Sequence, residues 1–109
     1  MAFVKVAETS EISPGKTKVF KFGEKEILIA NINGTFYAVG NLCTHKKGEL
    51  SKGGLEGNIV ICPKHKAKFD VTTGKVISDP KVPLIHPKIE DLPTYALKVE
   101  NSDILLRQD

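Results

Sequence analysis

No stretch of eleven or more residues repeats apolar side chains with the period of an amphipathic helix, and this most constrains the fold of the chain. Instead, residues 3–9 and 17–22 alternate polar and apolar side chains, which is typical of half-buried β-strands. The β-favouring segments 26–31 and 35–39 are separated by Asn33-Gly34, a pair typical of a tight hairpin. The sequence therefore predicts an all-β protein.

Further short segments of strand character follow, at residues 58–61, 69–71, 76–77, 95–99 and 104–106. Residues 41–57 contain four glycines and no sustained period, so they predict a loop, and the proline-rich residues 78–93 predict an irregular excursion. About eight short strands joined by turns predict an antiparallel sandwich or barrel. With 109 residues, we expect one domain, 1–109.

Composition and charge exclude several classes of protein. Hydrophobic residues make up 40% and charged residues 27% of the chain, unlike a disordered segment. A net charge of +3, with no helix or aromatic platform beside it, argues against a nucleic-acid partner. The N-terminus lacks the pattern of a signal peptide, and no apolar run approaches the ~18–20 residues that span a bilayer. We expect a soluble, cytoplasmic protein with no membrane partner.

Two short segments each combine a cysteine with a histidine. They are Cys43-Thr44-His45 and Cys62-Pro63-Lys64-His65, so the pattern reads C-x-H, sixteen residues, C-x-x-H. Thiolate and imidazole are the side chains that best suit zinc, copper and iron–sulfur centres. Each segment follows a predicted strand, and two such loops could hold one compact centre between them.

Several interpretations of these four residues remain open from the pattern alone. The two cysteines could form a disulfide, although no secretion signal indicates an oxidising compartment. A Cys₂His₂ zinc site would be redox-silent, but the common C-x₂₋₄-C and H-x₃₋₅-H spacings are missing. A cysteine nucleophile with a histidine base would need one such pair, not two. If both cysteines were simply core residues, with histidines beside them by chance, it would remain unexplained why each cysteine has a histidine nearby in the sequence.

The two segments, with Phe69-Asp70 and Thr73-Gly74-Lys75 after them, resemble the Rieske ferredoxin family, and most closely its soluble archaeal members. The resemblance implies a β-sandwich base with a small inserted cluster-binding subdomain at about residues 40–76. It also implies one Rieske-type [2Fe–2S] cluster per chain. In such a centre two cysteines ligate one iron and two histidines ligate the other, which assigns these roles to Cys43, Cys62, His45 and His65.

The same resemblance implies an electron-transfer protein and not an enzyme. We expect a monomer that passes one electron at a time between a reductase and an oxygenase or other oxidoreductase. His45 and His65 would lie at the surface, where the donor and the acceptor dock transiently. A ligand-free regulatory subunit with this fold is the weaker alternative, because all four ligand residues are present.

Three departures from the wider family bear on the redox potential. The chain lacks the two further cysteines that bridge the cluster loops in cytochrome-complex Rieske proteins, and the serine that donates a hydrogen bond to a cluster sulfide there. Where the family commonly has a glycine after the second histidine, this chain has Lys66. Fewer hydrogen bonds to sulfur predict a potential near the low end of the Rieske range, about −150 mV rather than +300 mV.

Lysines surround the two ligand segments and are opposed there only by Glu49. They are Lys46, Lys47, Lys52, Lys64, Lys66 and Lys68. They predict either a positive docking face for acidic redox partners or a solvated loop surface that is rich in lysine.

A few other residues near the predicted site have an expected role. The resemblance implies that Leu50 and Pro80 shield the cluster from water; Tyr37 and Tyr95 are predicted to be core or cross-strand residues rather than cluster donors, and His86 to be an ordinary loop residue.

Overall fold

The structure is a computed structural model and describes residues 2–43, 48–64, 66–78 and 89–108. Within these ranges the chain forms eleven strands and two short 3₁₀ helices, Thr9–Glu11 and Leu50–Lys52. The strands in chain order are β1 (Ala2–Glu8), β2 (Thr17–Phe22), β3 (Lys25–Ile32), β4 (Thr35–Gly40), β5 (Gly54–Glu56), β6 (Ile59–Ile61), β7 (Lys68–Asp70), β8 (Val76–Ser78), β9 (Thr94–Tyr95), β10 (Leu97–Glu100) and β11 (Asp103–Gln108).

The strands form three sheets, in the orders β1-β11-β10, β2-β3-β4-β9 and β5-β6-β7-β8. All strand pairs in the described residues are antiparallel, which confirms the predicted fold class. Asn33 and Gly34 both have positive φ, at 53° and 94°, so β3 and β4 are joined by the tight turn that the sequence predicts. No helix in the described ranges is long and apolar enough to cross a bilayer.

The β2-β3-β4-β9 sheet lies in the middle of the molecule because β3 and β4 are apolar on both faces. Leu28 and Val39 face each other across β3 and β4 and join one hydrophobic core, which also contains both cysteines. One step along each strand, Ile29 and Ala38 point the other way into a second core, shared with the β1-β11-β10 sheet. The period-two alternation of a strand thus divides the apolar residues of β3 between two cores.

The loop after β7 is closed by a turn that contacts the segment before β9. The Asp70 carboxylate accepts hydrogen bonds from the backbone N–H and the hydroxyl of Thr72, at 2.8 and 2.7 Å. Gly74 has φ +78°, and its carbonyl accepts a hydrogen bond from the Leu92 N–H at 2.7 Å. A Cβ atom on Gly74 would lie 2.5 Å from the Leu92 carbonyl oxygen, so only glycine fits this approach.

The sequence prediction is wrong in two places. The segment 41–57, predicted to be all loop, contains the 3₁₀ helix Leu50–Lys52 and strand β5; Gly54 in this strand and the flanking Gly53 and Gly57 obscure its strand character. The predicted strand 95–99 divides at Ala96, since β9 pairs with β4 whereas β10 pairs with β11. The chain passes from one sheet to another at this point. This depends on pairing with distant strands, which the local alternation of polar and apolar side chains does not encode. Most of the predicted excursion 78–93 lies outside the described residues, and residues 89–93 form no strand or helix.

Candidate metal centre

Cys43 follows directly from the middle sheet. Strand β4 ends at Gly40, where the N–H donates to the Pro93 carbonyl at 3.0 Å and where a Cβ atom would lie 2.9 Å from Cγ of Pro93. Three residues later, Cys43 is only 1% exposed, and its N–H donates to the carbonyl of Gly48 at 2.8 Å. A backbone hydrogen bond therefore joins Cys43 to Gly48 and closes the first cysteine loop.

Cys62 occupies the equivalent place after β6, which ends at Ile61. It is 2% exposed, and its N–H donates to the Ala67 carbonyl at 2.8 Å. Its own carbonyl accepts a hydrogen bond from the Lys66 N–H at 3.1 Å. The chain reverses inside this narrow loop, and Lys66 adopts the left-handed conformation with φ +63°. Glycine adopts a positive φ without steric strain, which gives a physical reason why the family commonly has a glycine after the second histidine.

The two cysteine loops contact each other. A Cβ atom added to Gly48 would lie 2.9 Å from Sγ of Cys62, so the backbone of the first loop lies directly on the thiol of the second. Both cysteines belong to one buried cluster that also contains Leu50 and Phe69. The structure therefore brings together the two predicted cysteine ligands, and neither of them forms a disulfide.

The other predicted ligands, His45 and His65, lie outside the described residues, as do Lys46, Lys47, Pro80 and His86.

Several neighbouring predictions can be compared with the structure. Leu50 is buried beside the cysteines, as a residue that excludes water from the site would be. Tyr95 packs against the second core, and Tyr37 is half-buried opposite Ala30 on β3. Both tyrosines therefore contribute to the sheet, as predicted.

Asn41 connects the first cysteine loop to the middle sheet, a role that no sequence pattern indicates. Its side chain is fully buried; Nδ2 donates to the Glu26 carboxylate at 3.2 Å, and Oδ1 accepts from the Ser51 N–H at 3.0 Å. Its backbone N–H donates to the Glu26 carbonyl at 2.9 Å and its carbonyl accepts from the Leu50 N–H at 2.8 Å. An asparagine after a strand-ending glycine resembles any turn residue; only its burial distinguishes it.

The donor chemistry of this site fits an iron–sulfur cluster. Two buried cysteines in an apolar cluster would carry uncompensated charge as thiolates, and such charge is costly unless a cation balances it. An oxidised [2Fe–2S] core carries 2+, so two thiolates with neutral imidazoles give a site without net charge. Gly48 itself places no side chain beside Sγ of Cys62, where the side chain of Lys64 also lies close.

Comparisons with known proteins decide the family. The model for the Rieske [2Fe-2S] domain matches residues 2–96. The chain belongs to the Rieske [2Fe–2S] family. It thus carries a [2Fe–2S] cluster.

Relatives of this Rieske protein match it over nearly its whole length. The ferredoxin component of the naphthalene 1,2-dioxygenase/salicylate 5-hydroxylase systems of Ralstonia sp. is 36% identical over 98% of this chain and 96% of its own. The biphenyl dioxygenase ferredoxin subunit of Pseudomonas sp. (strain KKS102) is 36% identical over 97% of this chain and 92% of its own. Like these ferredoxin components, the chain is an electron-transfer protein rather than an enzyme.

Solved structures agree with this assignment. The ferredoxin of carbazole 1,9a-dioxygenase from Nocardioides aromaticivorans IC177 has a TM-score of 0.86 and 25% identity, with 100% of both chains covered. A chain from the complex of reduced oxygenase and oxidized ferredoxin in carbazole 1,9a-dioxygenase has a TM-score of 0.80 and 28% identity, covering 95% of this chain and 91% of that one. The narrower likeness to archaeal ferredoxins stays a prediction.

We expect Gly48→Ala to impair cluster binding, because the new methyl group would meet Sγ of Cys62 at 2.9 Å. The iron bound per chain should fall at least about twofold, since the close-packed loops cannot move apart without strain. Gly54→Ala is the matched control, because a Cβ atom there meets nothing within 4 Å. Iron analysis of the purified variants measures the effect; equal iron in both would contradict the contact between the loops.

We expect Asn41→Ala to lower the free energy of unfolding by about 2 kcal/mol, because it removes a fully buried side chain and leaves the N–H of half-buried Ser51 without its acceptor. The variant should also lose iron to a chelator faster than the wild type. Glu26→Ala is the control, since it removes only the partner of Asn41 Nδ2 at a half-buried carboxylate and should cost less. Chemical unfolding and chelator-dependent bleaching provide the two readouts. A larger effect of Glu26→Ala would contradict the role given to Asn41.

Proposed function

We propose that this Rieske protein carries one electron at a time from a reductase to the oxygenase component of a dioxygenase system. The observation that carries the proposal is similarity over nearly the whole chain to ferredoxin components of such systems, combined with two buried cysteines on contacting loops. The solved complex of a similar ferredoxin with its oxygenase supports a direct encounter of the two proteins. Another oxidoreductase could take the place of the oxygenase without any change in the role of this chain.

The proposed ligands are Cys43 and Cys62 on one iron and His45 and His65 on the other. Their support is the residue types at the four positions and the contact between Gly48 and Cys62 Sγ, which joins the two segments. When bound, the cluster supplies a one-electron redox centre. The chain itself contributes the donor atoms, the apolar cluster with Leu50 and Phe69 that excludes water, and the hydrogen bonds that close each loop.

We place the cluster-binding subdomain at about residues 40–76, inserted into a single domain of 1–109. The β5-β6-β7-β8 sheet, which carries Cys62 at the end of β6, supports this division. The protein is proposed to act as a cytoplasmic monomer whose donor and acceptor dock transiently at the face of His45 and His65. Small, short-lived interfaces are usual for redox partners.

The partner surface is proposed to be acidic. Among the described lysines near the site, Lys52 lies 3.0 Å from the carboxylate of Glu49, the residue that the sequence identifies as the local opposing charge. Lys64 and Lys66 are exposed and Lys68 is half-buried; none of the ion pairs found in the described ranges includes any of the three. Their charge is therefore available to steer an acidic partner toward the cluster.

The ligand assignment predicts which substitutions remove the cluster. Cys62→Ser, His45→Ala and His65→Ala should each lower bound iron and labile sulfide strongly and abolish the reddish-brown colour, because each removes one donor. His86→Ala is the matched control, since it replaces the third histidine of the chain, and it should keep about two irons per chain. Reductive titration of the wild type should consume about one electron per chain.

Two outcomes would contradict this assignment. A colourless wild-type protein with one zinc would favour the redox-silent Cys₂His₂ site. Loss of the cluster in His86→Ala, with retention in His65→Ala, would reassign the histidine ligands.

The midpoint potential is expected near the low end of the Rieske range, about −150 mV. The physical reason is the lack, in this chain, of the serine and the extra cysteines that accompany high potentials in the wider family. Protein-film voltammetry or a spectroscopic redox titration of the purified protein measures the potential. A value well above zero would contradict this prediction while leaving the ligand set intact.

A further inference from the structure

Lys66 adopts a backbone conformation that is unfavourable for a lysine. Its φ of +63° lies in the left-handed region, where a side chain with a Cβ atom is strained and glycine is not. The other two non-glycine residues with positive φ in the described chain are Asn33 and Asn101, and asparagine tolerates this region far better than lysine. Lys66 is therefore the residue least suited to its backbone among the three.

The loop cannot relieve this strain by relaxing. Cys62 donates to the Ala67 carbonyl at 2.8 Å and accepts from the Lys66 N–H at 3.1 Å, so both ends of the reversal are fixed. Ala67 is fully buried and Cys62 is 2% exposed, which holds the flanking backbone against the core. The positive φ is thus imposed by the geometry of the cysteine loop, whatever residue occupies the position.

The side chain of Lys66 gains little from the protein in return. It is exposed, and no ion pair among the described residues includes it. A lysine in a strained backbone position that makes no compensating ion pair with the described residues points to a role outside the molecule. Lys66 is exposed, its backbone N–H is held by the Cys62 carbonyl, and it follows the proposed ligand His65 directly in the sequence.

We propose that Lys66 is a docking determinant that places a positive charge at the electron-exchange face and binds a carboxylate on the surface of an acidic protein partner. This rests on the proposed function, because the exchange face is defined by the proposed histidine ligands. Lys64 and Lys68, on the same loop, extend the positive surface. Lys66 differs from them in that its presence opposes the stability of its own loop.

The first test uses small redox reagents, so it does not depend on knowing the partner. The dithionite-reduced holoprotein is mixed with the anionic iron(III)–EDTA complex or with the cationic hexaammineruthenium(III) ion at low ionic strength. Lys66→Gly should be oxidised about twofold more slowly by the anion, because a unit charge is lost within several ångströms of the exit point. The cation should oxidise the same variant faster, and both differences should vanish at high salt.

Two variants serve as matched controls. Lys66→Arg keeps the charge and should behave like the wild type with both reagents. Lys16→Gln removes the same charge at the opposite end of the middle sheet, where the Lys16 carbonyl accepts from the Asn31 N–H at 3.0 Å, and should leave both rates unchanged. The Lys66→Gly variant should keep or raise the wild-type melting temperature, since glycine relieves the strain. This outcome would separate a functional lysine from a structural one.

The second test uses the oxygenase of the naphthalene 1,2-dioxygenase/salicylate 5-hydroxylase systems as the protein partner. The apparent Kd of reduced holoprotein for this oxygenase, measured at low ionic strength, should rise for Lys66→Gly but not for Lys66→Arg. Unchanged rates with both small reagents and an unchanged Kd, or a lower melting temperature in Lys66→Gly, would overturn the role of Lys66. A wild-type protein with no reducible centre would instead overturn the proposed function, so the two failures are distinguishable.

Discussion

The burial of β3 and β4 on both faces is the constraint on which the rest of the structure depends. Because neighbouring side chains of a strand point to opposite faces, one apolar run supplies two cores at once. One core joins the middle sheet to the β1-β11-β10 sheet, and the other receives the cysteine loops. A substitution that shifted the register of β3 by one residue would exchange the two sets of side chains and disrupt the base and the metal site together.

This arrangement explains how a site made of loops can be rigid. The cysteines are anchored by burial in the core, and Asn41 ties the residues after the first cysteine loop to Glu26 near the start of β3, an inner strand of the same sheet. Each cysteine backbone is further fixed by a hydrogen bond across its own loop. The electron-carrying role assigned to the family requires a centre whose geometry changes little between its two redox states, and the anchoring serves that requirement.

Much of the fold could be predicted from local pattern, because strand alternation and the Asn33-Gly34 turn are encoded by neighbouring residues. Strand 17–22 and the turn after β3 agree with the prediction, whereas β5 and the division at Ala96 depend on pairing with distant strands. In the site, residue type and spacing predicted that the two cysteines belong to one site, and the structure brings them together. The contact between Gly48 and Cys62 and the burial of Asn41 are long-range facts that spacing does not contain. The conformational cost at Lys66 is equally invisible in the sequence, since φ is set by the closed loop.

The burial of the two cysteines has a consequence for what can reach the metal centre. An electron crosses a short thickness of protein without a channel, whereas a chelator, an oxidant or a competing thiol must touch the sulfur it attacks. With Cys43 and Cys62 at 1% and 2% exposure and Gly48 lying on one sulfur, such reagents meet backbone and apolar side chains first. The burial of both sulfurs therefore permits electron transfer while it hinders reagents that must contact the sulfur directly.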